Sequence, residues 1–320
     1  MSAMRTMEVK YHPRFVEKAL LAEIQHKEKQ GDCQLRDQYR RLTEPLYALS
    51  SEARNEEFKT VNIALFFQRG LHRALEEILN EPPFCEKVDE TNIFDSEGEE
   101  VADLFQDKDR RIVVIKVRAE SLFNVSHLRS LLNHELTHIA DMLDAEFSYD
   151  RTPLASTPIE ESILRERYRV LWDISIDSRL IGSKQPTVAT KALRQKEFLA
   201  LYRKFGQKEC EAVFEYLWSR DRMTHPELRE YARNPRLLLR AAGIEADENT
   251  VLPGLLCPLC GFPTYHWIVN PGQIEACVVD HIRQDAPDWK PEQGICERCL
   301  ESWTLLTRDR DGDSRRVEGG

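Results

Sequence analysis

The strongest chemical signal in the chain is His134-Glu135-Leu136-Thr137-His138. Histidines at i and i+4 lie on one helical face, close enough for two imidazoles to bind one ion. Glu135 sits beside them, where it can take a proton from a metal-activated water without being a ligand. A second set is formed by Cys257/Cys260 and Cys296/Cys299. Each Cys-x-x-Cys knuckle offers two thiolates from a tight turn. Two knuckles give the closed four-thiolate set of structural zinc. A redox role for either pair lacks a thioredoxin-like surrounding. Cys33, Cys85, Cys210 and Cys277 are scattered, and Cys277 and His281 read as core or surface residues. Two zinc ions per chain are therefore expected, one catalytic and one structural.

A catalytic zinc needs a third protein ligand and an open position. The stretch Leu171-Trp172-Asp173-Ile174-Ser175-Ile176-Asp177 buries two acids among apolar residues. Such carboxylates are costly unless paired or metal-bound. Asp173 is the first candidate, ahead of Asp177 and Glu166; Arg165 and Arg167 flank Glu166 and suit it to a solvated ion pair. Taking the two helices as antiparallel puts His134 about 20 Å from Phe147 and Asp173 about 22 Å from Pro158, level with each other. Asp141 follows His138 by three; it either supports the metal's surroundings or makes a plain helix-surface hydrogen bond. His127, Tyr149, Tyr168 and Arg179 are unranked candidates for stabilising an oxyanion.

The elements that must position these groups are legible in part. Leu128, Leu132, Leu136, Ile139 and Leu143 form a helical stripe over about 126–147, with Ser126 as expected N-cap. Thr157, Pro158 and Glu160 signal a second helix that ends near Gly182. Ile112–Val117 reads as a strand whose free edge could pair an extended peptide. Residues 84–110, with ten acids against three bases, read as a solvated acidic loop. Helical spacing recurs at Val61, Leu65, Leu71, Leu75 and Ile78 until Pro82-Pro83. Further helices are expected over 186–245, with breaks at Gly206 and Thr224-His225-Pro226. Tyr265–Val269 and Cys277–Val279 read as strand-like.

The H-E-x-x-H pattern resembles the zincin metallopeptidases, over about residues 110–182. Gluzincins pair it with E-x-x-x-D on a second helix, whereas this chain has D-x-x-x-D. By that resemblance Asp173 is the third zinc ligand and Asp177 hydrogen-bonds His134. Aspzincins likewise use Asp as a ligand. The paired knuckles resemble a zinc ribbon. Together they imply an α+β protein: a mainly helical zincin-like domain with a small sheet (1–250; helical 11–80, active-site core about 110–182, helical 186–245), a ribbon (251–305) and a flexible tail (306–320). The implied activity is zinc-dependent peptide-bond hydrolysis by an endopeptidase, with Glu135 as general base and a protein or peptide as substrate. Two alternatives stand beside it. One is a non-catalytic, zinc-stabilised adaptor. The other is a protease acting on nucleic-acid-bound proteins, as the Spartan-like proteases do. Those use a third histidine, and after His138 only the distant His225, His266 and His281 remain.

Composition bounds the remaining choices. The 320 residues are 41% hydrophobic and 31% charged, as in a folded chain, and the net charge is -10. The acidic balance disfavours a nucleic-acid partner and leaves the ribbon as the one place for such a contact. No apolar run reaches the roughly 18 residues of a membrane span, and residues 1–14 have no signal-peptide core. A cytoplasmic protein without membrane partners is expected.

Overall fold

The structure, a computed structural model, describes residues 7–82, 84–107, 110–202, 207–245, 255–264, 266–268 and 271–317. Pro83, Lys108, Asp109, Gly206, Tyr265, Val269 and the expected boundary near 250 lie outside them. The chain is α+β, mainly helical with a small sheet. It divides into two compact units: Met1–Tyr149 with Arg179–Thr190, and Asp150–Ser178 with Lys191–Gly320.

The first unit holds β1 (Glu8–Tyr11), α1 (Pro13–Lys29), α2 (Gln34–Thr43), α3 (Ser51–Gln68), α4 (Arg73–Leu79), α5 (Phe84–Lys87), β2 (Glu90–Asp95), β3 (Val101–Asp107), β4 (Arg110–Val117) and α6 (Val125–Met142). The strands form one sheet in the order β1-β2-β4-β3. β1, β2 and β4 run parallel, and β3 is antiparallel to β4. Val113, Ile115 and Val117 alternate into a core with Ile93, Phe15, Phe66, Leu75 and the α6 residues Leu128, Leu132 and Ile139. This is the period-two face that a half-buried strand requires.

Three expectations change here. The acidic segment forms two strands, β2 and β3, and the acid it buries finds partners. Glu90 is buried and accepts from Lys10 at 2.8 Å and Arg110 at 2.7 Å. Those cations hold its carboxyl below the usual range, Lys10 first, with the Asn92 amide adding to the effect. Secondly, β4 is paired on both sides and offers no free edge; β1 and β3 are the edge strands instead. Thirdly, α6 is capped by Asn124, whose Oδ1 accepts the His127 N–H at 3.1 Å, and not by Ser126. The helix ends at Met142, short of Phe147. Asp144 closes the next turn on the Glu146 N–H, and Ser148 takes φ 56°. The axial count from Phe147 therefore loses its basis.

The second unit takes residues 158–178 of α7 (Pro158–Gly182), whose last turn belongs to the first. Thr157 Oγ1 accepts the Glu160 N–H at 3.3 Å, as the sequence predicts for its start. Then come α8 (Lys191–Tyr202), α9 (Gln207–Ser219), α10 (His225–Arg233) and α11 (Pro235–Ala241). Thr224 and Glu227 close a reciprocal capping box on α10. The cysteine-rich part holds β5 (Leu255–Leu256), β6 (Pro263–Thr264), β7 (Trp267–Ile268), α12 (Ala276–Asp285), β8 (Ile295–Cys296) and α13 (Glu297–Val317). Cys277–Val279 is helical, against expectation. Val278 and Ile282, four apart, are what the local core needs from this segment. The expected tail from 306 includes the second half of α13.

The caps separate the two readings of α6. Asn124→Ala should destabilise the chain by about 1 kcal/mol, and Ser126→Ala, at an exposed site, by under about 0.5 kcal/mol. Chemical denaturation of both variants checks this; equal losses would restore Ser126 as the cap.

Candidate metal centres

The four knuckle cysteines come together. Their sulfurs all lie within 4.8 Å of one another, with Cys257–Cys299 at 3.9 Å and Cys260–Cys296 at 3.8 Å. Four sulfurs placed tetrahedrally about 2.3 Å from zinc stand roughly 3.8 Å apart. A disulfide would need about 2.05 Å, so the spacing is that of an ion cage. Each turn is built locally. Gly261 takes φ +68° and gives its N–H to the Cys257 carbonyl at 2.8 Å, while Cys257 gives its own to Phe262. A side chain would strain that backbone. In the second knuckle the Cys299 N–H donates to Cys296 Sγ at 3.3 Å. Burial pushes the Cys296 and Cys299 thiols up. At Cys257 burial acts the same way, but amides of Cys260, Cys296 and Leu259 win and bring the thiol below its ordinary range. The strands beside the knuckles form two short two-stranded sheets, β5-β6 and β7-β8.

On α6, His134 and His138 face each other. His134 is buried, the rings are 4.9 Å apart between centroids, and the Nε2 atoms are 3.3 Å apart. Two nitrogens bound tetrahedrally at about 2.05 Å from one ion stand about 3.3 Å apart, so the pair fits such a group. Glu135 lies between them in sequence. Its Oε2 accepts the Ala102 N–H of the edge strand β3 at 2.9 Å, which fixes the carboxylate's direction. Asp141 is buried and takes a bidentate grip from Arg179, at 3.0 and 2.6 Å. Arg179 is thus engaged by a carboxylate on the helix that carries the histidines. His127 sits at the exposed start of α6, 3.3 Å from Glu100.

On α7, Asp173 and Asp177 are both buried. Between them stands Arg194 of α8, 5% exposed. Its Nε donates to Asp177 Oδ2, and its Nη1 reaches Asp173 Oδ2 at 3.3 Å and Glu197 at 2.7 Å. Arg169, exposed, comes within 3.5 Å of the same Asp173 oxygen. Burial works against the Arg194 charge, but the two aspartates outweigh it and raise its pKa. Glu166 is exposed, in keeping with its solvated reading. A ligand atom of Asp173 falls within 4.8 Å of those of His134 and His138, so these three residues could hold an ion. Neither Asp177 nor Glu166 belongs to that group.

Two participants escaped the sequence reading. Arg194 shares a buried stripe with Phe198 and Tyr202, four residues apart. An arginine on an apolar stripe is the signal that could have found it. His225, set aside as distant, meets Tyr168: the phenol oxygen and Nδ1 are 2.6 Å apart in the interior of the second unit. Burial lowers the His225 pKa, and Asp150 opposes that effect.

If the thiolates hold zinc, replacing one knuckle should remove it. Elemental analysis should give about two zinc ions per wild-type chain, and about one after Cys257→Ser with Cys260→Ser. An unchanged zinc content in that variant would exclude the cage. Comparison with protein-family models, with curated proteins and with solved structures finds no match to this chain.

Proposed function

We propose that the chain is a zinc-dependent peptidase of the zincin type, with His134, His138 and Asp173 as metal ligands and Glu135 as general base. One observation carries this reading: two imidazole nitrogens 3.3 Å apart on one helical face, with a carboxylate ligand atom within 4.8 Å of both. The donor set supports it. Two histidines and one carboxylate leave a tetrahedral zinc one open position, the mark of a catalytic rather than a structural site. The four-thiolate cage is closed by contrast, and its zinc is structural.

Bound zinc would supply Lewis acidity, polarising a carbonyl and making a water acidic. The chain's own residues do the rest. Glu135 accepts the proton of the attacking water and delivers it to the leaving amine. Its hydrogen bond to Ala102 holds the carboxylate in one orientation through both transfers. The same bond ties the base to β3, an edge strand of the sheet along which an extended peptide could lie. Phe105, half exposed on that strand, offers an apolar contact to such a peptide. The membrane is not a partner this reading needs, and no described helix is long and apolar enough to cross one.

The test is Glu135→Gln. The amide oxygen keeps the hydrogen bond to Ala102 but cannot act as a base at neutral pH. The variant should fold, keep both zinc ions and lose cleavage of a peptide-library substrate by at least about 100-fold. Wild-type cleavage rates in Glu135→Gln would refute the mechanism. If wild type itself cleaves nothing across the library, the non-catalytic adaptor becomes the better reading.

A further inference from the structure

The second unit shares one buried guanidinium between two buried carboxylates. Arg194 of α8 bonds Oδ2 of Asp177 through Nε and Oδ2 of Asp173 through Nη1, and all three side chains are at most 6% exposed. Leu171, Ile174 and Ile176, their neighbours along α7, are fully buried as well. Two carboxylates four residues apart on one face repel each other strongly in so dry a setting. A nearby buried cation is what makes the pair tolerable, and a fork of five donors is the side chain suited to bridge two acids. Arg194 is held in its turn by Glu197, on the next turn of α8, at 2.7 Å.

A metal at Asp173 adds a further cation beside Arg194 and the exposed Arg169. The Arg194 guanidinium sits 3.3 Å from one oxygen of the ligand. Its charge withdraws electron density from that carboxylate and repels any ion bound to it. The metal and the buried Arg194 thus compete for the same acid, although either one alone relieves the Asp173–Asp177 repulsion.

We infer that Arg194 is a built-in counter-ion, a positioning residue that keeps the metal-free chain folded and weakens zinc binding at the histidine site. The inference rests on the assignment of Asp173 as a ligand with His134 and His138. It gives a physical reason for Asp in place of the longer Glu. The short side chain stays within the arginine's reach, and its metal affinity is set by a charge on a neighbouring helix.

Zinc is the probe, read by competition with a chromophoric chelator on the full-length chain with the four-cysteine site filled. Arg194→Met, which keeps the length and loses the charge, should bind zinc at the histidine site about tenfold or more tightly. Without that zinc it should melt about 10 °C below wild type, and zinc should restore most of the loss. Arg194→Lys, which keeps the charge and loses the fork, should bind zinc near the wild-type level and melt between wild type and Arg194→Met. Wild type stripped of the histidine-site zinc should retain its far-ultraviolet circular dichroism. Equal or weaker zinc binding by Arg194→Met, or unfolding of stripped wild type, would overturn the inference. If Arg194→Met does not fold in either state, Arg194→Gln carries the same expectations, and the wild-type stripping result stands by itself. Failure of the underlying assignment reads differently: His134→Ala and Asp173→Asn would then leave the zinc content of the chain unchanged.

Discussion

Charge buried in α7 is the constraint from which the candidate site follows. Asp173 and Asp177 are buried at almost no exposure, on a helix whose Leu171, Ile174 and Ile176 are buried too. An isolated carboxylate there would neutralise itself or unfold its surroundings. The chain answers with Arg194, and that answer needs α8 packed so that Arg194, Phe198 and Tyr202 share one buried stripe. The hydrophobic packing of the helix and the electrostatics of the acids are therefore one problem. The buried ion pairs tie α7 and α8 together alongside their apolar packing.

The cysteine-rich part shows the same logic with softer ligands. Its core is small: Ile274, Val278, Ile282, Trp289 and Ile295, joined by three of the four cysteines. A patch of that size buries too little apolar surface to fold on its own strength. A metal held by the four thiolates would add a crosslink joining β5-β6 and β7-β8 to the start of α13, and its binding would become part of the folding free energy. In the first unit, by contrast, the parallel strands β1, β2 and β4 and the α6 stripe share one large hydrophobic core, and α6 presents His134 and His138 from it.

How much of this could be read from the sequence depends on distance along the chain. The H-E-x-x-H histidines and the cysteines within each knuckle are local, so spacing on a helix or a turn brings their atoms together, whereas joining the two knuckles needs the fold. The buried aspartates were legible from their apolar neighbours. Arg194 was not, because a cation seventeen residues on acquires meaning only when α8 packs. The edge of the sheet was misread for a related reason. The β-branched run at Ile112–Val117 identifies a strand but not its neighbours, and the acidic residues of β2 and β3 hid two more strands. Their charge looked solvated until Lys10 and Arg110 met Glu90. The α6 cap slipped by two residues, since Asn124 and Ser126 are equally good caps in isolation and backbone geometry decides between them. At Cys277–Val279 three β-branched or small residues suggested a strand, while the spacing of Val278 and Ile282 made a helix.

The central claim is that two helical histidines and an arginine-clamped aspartate hold one zinc ion. Crystals of the zinc-loaded full-length chain, with diffraction recorded on both sides of the zinc absorption edge, test it most directly. The account predicts two anomalous peaks. One lies amid the four knuckle sulfurs, and the other lies about 2.0–2.2 Å from an imidazole nitrogen of His134, one of His138 and an oxygen of Asp173, with Arg194 still on Asp177. A zinc-loaded chain with its only peak among the cysteines, or a second peak that excludes Asp173, would contradict it.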